Sequence, residues 1–135
     1  MLRVLVADKD MQARKQIAEI LIDAGYDVIV TDSATGTIQN VLNNNAHILL
    51  LGAELEELNS AQLVPLLKRC NRQLAIILVA DETPHALLLK VRKEGIFYHA
   101  LRPFEAEGRE EIIQVVKCAI HNLLRTPNKH AILVH

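Results

Sequence analysis

Residues 46–58 read AHILLLGAELEEL, and the fold turns on how this stretch is interpreted. Ile48 to Leu51 form an unbroken apolar run that continues past Gly52 to Ala53, with Glu54, Glu56 and Glu57 close behind. A short apolar run bounded by polar residues reads as a strand buried on both faces. Strands of that kind commonly deliver a functional side chain at their carboxyl end. Here the strand ends on Gly52, which has no side chain to offer.

Runs of the same character lie on either side: RVLVAD (3–8), YDVIVTD (26–32), QLAIILVAD (73–81) and IFYHAL (96–101). Helical patterns separate them. MQARKQIAEILIDAG (11–25) sets Ile17, Ile20 and Leu21 at helical spacing and places Gly25 as a stop. SATGTIQNVLNNN (33–45) carries Ile38, Val41 and Leu42 on one face, closed by its asparagines. Ser60 is the expected N-cap of AQLVPLLKRC (61–70), in which Pro65 either sits early or kinks the helix. TPHALLLKVRKEG (83–95) has Thr83 as cap, Pro84 in its first position and Gly95 as stop. EGREEIIQVVKCAIHNLLR (107–125) is the final expected helix, and TPNKHAILVH (126–135) reads as a linker or tail with a β-prone end. The domain is therefore expected over 1–125. Strands alternating with helices, with apolar runs rather than alternation inside the strands, imply a doubly wound three-layer α/β/α domain with a parallel sheet.

Composition narrows the function classes. A chain of 135 residues is one domain by length and needs neither metal nor disulfide to hold a core. Aromatic residues make up 3% and tryptophan is absent, so the core is aliphatic. A net charge of −1 gives no general attraction to nucleic acid or anionic lipid, and the basic residues are dispersed. Cys70 and Cys118 have no CxxC spacing, which suits a reduced, cytoplasmic setting. No run approaches the ~18 apolar residues of a membrane helix. Nucleic acid and membrane are accordingly not expected as direct partners. No Ser/His/Asp, Cys/His or paired-carboxylate constellation points to an enzyme, and the histidines show no metal-ligand spacing.

The strand ends hold the informative residues: Asp8-Lys9-Asp10, Gly52, Val79-Ala80-Asp81 and Leu101-Arg102-Pro103. Here the chain resembles the receiver domain of bacterial two-component response regulators, CheY-like in type, from residue 3 to about 125. RVLVADKD is similar to the family's first strand with its acidic pair, and HILLLG to the strand bearing the phosphoryl-accepting aspartate. IILVADE is similar to the strand that ends in Thr or Ser followed by Ala, and EGIFYHALRPF to the pattern AGADDYLTKPF. The resemblance implies a flavodoxin-like strand order 2-1-3-4-5 and a role in signal transduction.

The departures fall in the active site that the resemblance implies. Gly52 stands at the acceptor, Lys9 at the second acidic position, Val79 at the hydroxyl position and Arg102 at the lysine, while Asp8 is kept. Phosphoryl transfer from phosphohistidine needs a carboxylate nucleophile, and Mg²⁺ needs hard oxygen ligands. Asp8, Lys9, Asp10, Gly52, Val79 and Arg102 are thus read as a degenerate phosphorylation pocket, with no metal or other cofactor expected. Asp8 is expected as a buried carboxylate paired with Lys9 or Arg102, and the loop acids as solvated.

Without phosphoryl chemistry, the expectation is a phosphorylation-independent interaction or dimerisation module, a pseudo-receiver. It would form part of a larger transcriptional regulator whose output domain follows residue 135. The resemblance implies a face built from the fourth helix, fifth strand and fifth helix. Leu87, Leu88 and Leu89 cannot all enter one core, and Ile113, Ile120 and Leu124 widen the apolar stripe of the last helix. Leu87, Leu88, His99, Ile113 and Ile120 are the expected face, with a protein partner or a second copy of the chain as occupant. A tail that packs back over the last helix is the plainer account of the same stripe. Two other readings stay open: an anion sensor using Lys9 and Arg102, and an active receiver with a substitute acceptor carboxylate.

Overall fold

The computed structural model describes residues 2–80, 89–90, 92–102 and 106–134. Five parallel strands, β1 (Arg3–Ala7), β2 (Asp27–Thr31), β3 (Ile48–Gly52), β4 (Ala75–Val79) and β5 (Tyr98–Ala100), form one sheet in the order β2-β1-β3-β4-β5. Helices α1 (Met11–Asp23), α2 (Ala34–Leu42) and α3 (Ser60–Cys70) lie between the strands, and a C-terminal helix spans Ala106–Val134. The doubly wound architecture and the strand order are those expected. The segment expected as the fourth helix falls largely outside the described residues, and so do Thr83, Pro84, Leu87 and Leu88. Residues 89, 90, 92 and 93 within it are helical.

The apolar runs of the inner strands are continuous because β1, β3 and β4 each feed two cores. Leu5, Ala7, Leu49, Leu51, Ile76 and Leu78 point to one face, where α2 and α3 contribute Val41, Leu63, Val64 and Leu67. Val4, Val6, Ile48, Leu50, Ile77 and Val79 point to the other, against Ile17 and Leu21 of α1 and Ile112, Val116 and Ala119 of the C-terminal helix. Alternation exists in space but is invisible in the sequence, since both faces are apolar. The edge strands relax the rule: Val30 on β2 and Tyr98 on β5 are exposed.

Local signals fix most helix ends. Gly25 and Gly95 have φ of +96° and +98°, a left-handed conformation that glycine adopts without a Cβ penalty. Asp10 caps α1 and Ser33 caps α2. Two expectations are corrected. The N-cap of α3 is Asn59, not Ser60: Asn59 and Gln62 form a reciprocal capping box, while Ser60 is the first helical residue and is buried. The amide of Ser60 donates to the Ala53 carbonyl at 2.9 Å, which draws it inward and leaves the cap to its neighbour. The backbone of the C-terminal helix also continues through residues 126–134, past the Thr-Pro pair expected to end it. A proline inside a helix costs one backbone bond and a local clash without forbidding continuation. A tail that folds back over the helix is thereby excluded, because the segment prolongs it. Among the described residues, no helix is long and apolar enough to cross a membrane.

Candidate functional site

Parallel register brings the strand ends into one row. Ala7 pairs with Leu51, Gly52 with Val79 and Val79 with Ala100, so the residues that follow β1 and β5 meet above the end of β3. Asp8 is 2% exposed. Its Oδ1 accepts the Asp10 amide at 2.9 Å, and its main-chain carbonyl accepts Arg14 Nη1 at 2.9 Å. Asp10 works in two directions: Oδ1 accepts the amides of Gln12 and Ala13 at the start of α1, and Oδ2 accepts Arg102 Nη1 at 3.2 Å. Arg102 Nη2 lies 4.0 Å from Asp8 Oδ1, a looser contact with the same carboxylate pair.

Gly52 is occupied by its neighbour. A Cβ built there lies 2.6 Å from both Cγ and Oδ2 of Asp8 and 2.8 Å from Oδ1, closer than real Cβ atoms approach. The Asp8 carboxylate therefore fills the space that a side chain at 52 needs. Oδ2 is buried and has no hydrogen-bond partner among the described residues. Burial pushes the Asp8 carboxyl above its ordinary value, against the opposing pull of the Asp10 amide and the Arg102 guanidinium.

Asp8, Lys9, Asp10, Ala53, Glu54 and Arg102 line a cleft of about 370 Å³. Five of the six residues expected in the degenerate pocket thus gather at this place, counting Gly52 through its contact with Asp8. Val79 does not open onto the cleft; it is buried in the core that also holds Ala100. Of the two partners expected for Asp8, the structure gives Arg102, and Lys9 lines the cleft as an exposed side chain. The amide of Lys9 donates to the Glu54 carbonyl at 3.3 Å, tying the first loop to the loop after β3.

Sequence reasoning missed two participants. Arg14, one helical turn past Asp10, reaches back to the Asp8 carbonyl. Glu57, expected as a solvated loop acid, accepts the Ala34 amide at 3.0 Å and the Thr35 hydroxyl at 2.8 Å, which pins the loop after β3 to the start of α2. Those bonds, the Thr35 hydroxyl first, hold the Glu57 carboxyl below its usual range. Local sequence carries no signal for a contact spanning more than twenty residues.

The expected interaction face is described in part. His99 is half-buried on β5, with Nε2 3.0 Å from the Ala80 carbonyl. Ile113 and Ile120 are half-buried and pack against the core beneath the C-terminal helix, leaving Leu124 as an exposed apolar residue of that helix. Tyr98 and Leu101 are exposed nearby in sequence on and just after β5.

Comparison with known proteins agrees with this architecture. The curated relatives include the DNA-binding transcriptional regulator NtrC of Rhizobium meliloti (strain 1021), 23% identical over 126 residues, which cover 93% of this chain and 25% of that protein. NtrC of Azospirillum brasilense is 24% identical over 119 residues, covering 88% of this chain and 24% of that protein. The chain thus spans about a quarter of the length of the curated relatives it matches. Among solved structures, a CheY-like receiver domain protein from Methanospirillum hungatei JF-1 superposes with a TM-score of 0.84 at 15% identity, covering 93% of this chain and 98% of that one. NtrX from Brucella abortus gives 0.84 at 18% identity, covering 98% of this chain and 30% of that one. At these identities the structural likeness speaks for the fold. The profile of the response regulator receiver domain matches residues 4–117, and with the sheet order and the row of strand-end residues it establishes that this chain belongs to that family.

Proposed function

We propose that this receiver domain works without phosphoryl transfer, as a protein-interaction or dimerisation module within a longer signalling regulator. The observation that carries this reading is at Gly52. The residue that closes β3 supplies no carboxylate, and the Asp8 carboxylate already fills the space at its Cβ. A nucleophile for phosphoryl transfer is missing from that position, and Asp8 is buried within contacts to Asp10 and Arg102.

A resident Mg²⁺ has no part in the proposal. The Arg102 guanidinium lies 3.2 Å from the Asp10 carboxylate and 4.0 Å from that of Asp8, a fixed positive charge beside the oxygens a cation would need. The same ion pairs count against the anion-sensor alternative, since Arg102 is engaged. The curated relatives are transcriptional regulators about four times as long, which supports a regulatory role next to an output domain. The expected partner is a protein or a second copy of the chain, approached through the face that includes β5 and the C-terminal helix.

An amide NMR titration with Mg²⁺, then beryllofluoride, then phosphate, with oligomer size followed in parallel, tests this. The expected result is no saturable shift at Asp8, Gly52 or Arg102 in any step. Saturable shifts with Mg²⁺ and beryllofluoride would overturn the proposal and identify a substitute acceptor carboxylate. Shifts with phosphate alone would replace it with anion sensing.

A further inference from the structure

A second cavity lies at the opposite end of the sheet, where the strands begin. It has a volume of about 540 Å³, within the range of small-molecule sites. Its walls come from the last turn of α3, the turn leading into β4, the segment before β5 and the C-terminal helix. Leu74, Ile96, Phe97 and Leu123 supply an apolar lining, and Lys68 and Arg72 supply the charge. No carboxylate lines it among the described residues.

Lys68 is tied to the main chain by two hydrogen bonds. Its Nζ donates to the carbonyls of Arg72 at 2.9 Å and Leu74 at 3.0 Å. An ammonium has three protons, so one remains beyond these bonds. Gly95, in its left-handed conformation, lies beside the Lys68 stem, with its Cβ position 3.6 Å from Lys68 Cε. Arg72 sits in the turn fixed by the Asn71 side chain, which accepts the Gln73 amide at 2.9 Å. Partial burial lowers the Lys68 amine from its ordinary value, the direction expected of a cation whose surroundings supply no counter-charge.

We propose that this cavity binds a small organic acid with an apolar body. The carboxylate lies on Lys68 and Arg72, and the alkyl or aryl part lies against Ile96, Phe97 and Leu123. Two cations, with no acid among the described lining residues, select the head group, and the aliphatic and aromatic walls select the body. This inference stands apart from the proposed loss of phosphoryl transfer, because its readout lies at the other end of the strands.

The test is an amide NMR titration with phenylbutyrate, run beside its uncharged analogue phenylbutyramide. Saturable shifts are expected at Lys68, Arg72, Phe97 and Leu123 and not at Asp8 or Gly52, with a dissociation constant on the order of 1 mM. The amide should bind about fivefold more weakly, and the exposed substitution Arg72→Gln should cost about fivefold in phenylbutyrate affinity. Because a bound anion favours the charged amine, the Lys68 Nζ titration should move to higher pH when phenylbutyrate is present. Lys68→Gln, checked for an intact spectrum, should weaken the acid but not the amide. Equal binding of acid and amide, an unmoved Lys68 titration, unchanged affinity in Arg72→Gln, or no saturation through about 10 mM would overturn the proposal.

Discussion

At the carboxyl ends of the strands, Arg102 lies 3.2 Å from the Asp10 carboxylate and 4.0 Å from that of Asp8. At the amino ends, Lys68 gives two protons to main-chain carbonyls, and no carboxylate lines its cavity among the described residues. The first arrangement brings opposite charges together around a buried group, Asp8. The second satisfies hydrogen bonds with no carboxylate among the described lining residues. Hydrogen-bond satisfaction and charge neutralisation are separate requirements, and this sheet meets them separately at its two ends. A pair closed on itself favours structure, whereas a held cation over an apolar wall favours a ligand.

The largest break in the closed end should come from Gly52→Ala. A methyl group there meets the Asp8 carboxylate, and overpacking of this kind costs about 1–3 kcal/mol. Urea unfolding measures the loss, and adding Asp8→Ala should recover part of it as a coupling energy. Full stability in Gly52→Ala would mean that the carboxylate moves aside freely. Next in size is Asp10→Ala, which removes both the cap of α1 and the closer partner of Arg102. A lost N-cap costs about 0.5–2 kcal/mol, read in the same denaturant experiment.

A pH series sharpens the comparison further. Asp8 has its folded carboxyl raised above 3.8, so its ionisation opposes folding. Relative to Asp8→Asn, the native chain should lose thermal stability as pH rises from about 3.8 through the folded value. Parallel stability curves for the two proteins would place the Asp8 carboxylate in a well-compensated site. The smallest effect belongs to Glu57, whose folded carboxyl is lowered by Thr35 and Ala34. Its contribution is present above 4.5 and lost as pH falls through the folded value, and Glu57→Gln should erase that loss in acid melting curves.

Much of this contrast is foreshadowed in the sequence. Apolar runs closed by polar residues locate every strand, since a strand that feeds two cores has no polar positions to interrupt it. Gly52 and Arg102 stand out as departures from the family's residues at positions set by strand spacing. Contacts across the fold were harder to read. Asn59 and Ser60 are both good caps, and only the bond from Ser60 to Ala53 decides between them. Glu57 finds its partners on α2, and Lys68 reads as an ordinary basic residue in a last helical turn until the segment before β5 and the C-terminal helix enclose it. Pro127 misled because proline imposes a cost on a helix rather than an absolute stop, and here the backbone stays helical through it.

The C-terminal helix also has a mechanical consequence. It packs against the core as far as Leu123, while its backbone runs on to Val134. Eleven residues of helix make an arm of about 16 Å. A tilt of roughly 10° at the sheet would swing the far end by about 3 Å, so a small shift at the core becomes a larger displacement at the tip. The helix is a lever with its fulcrum on the domain.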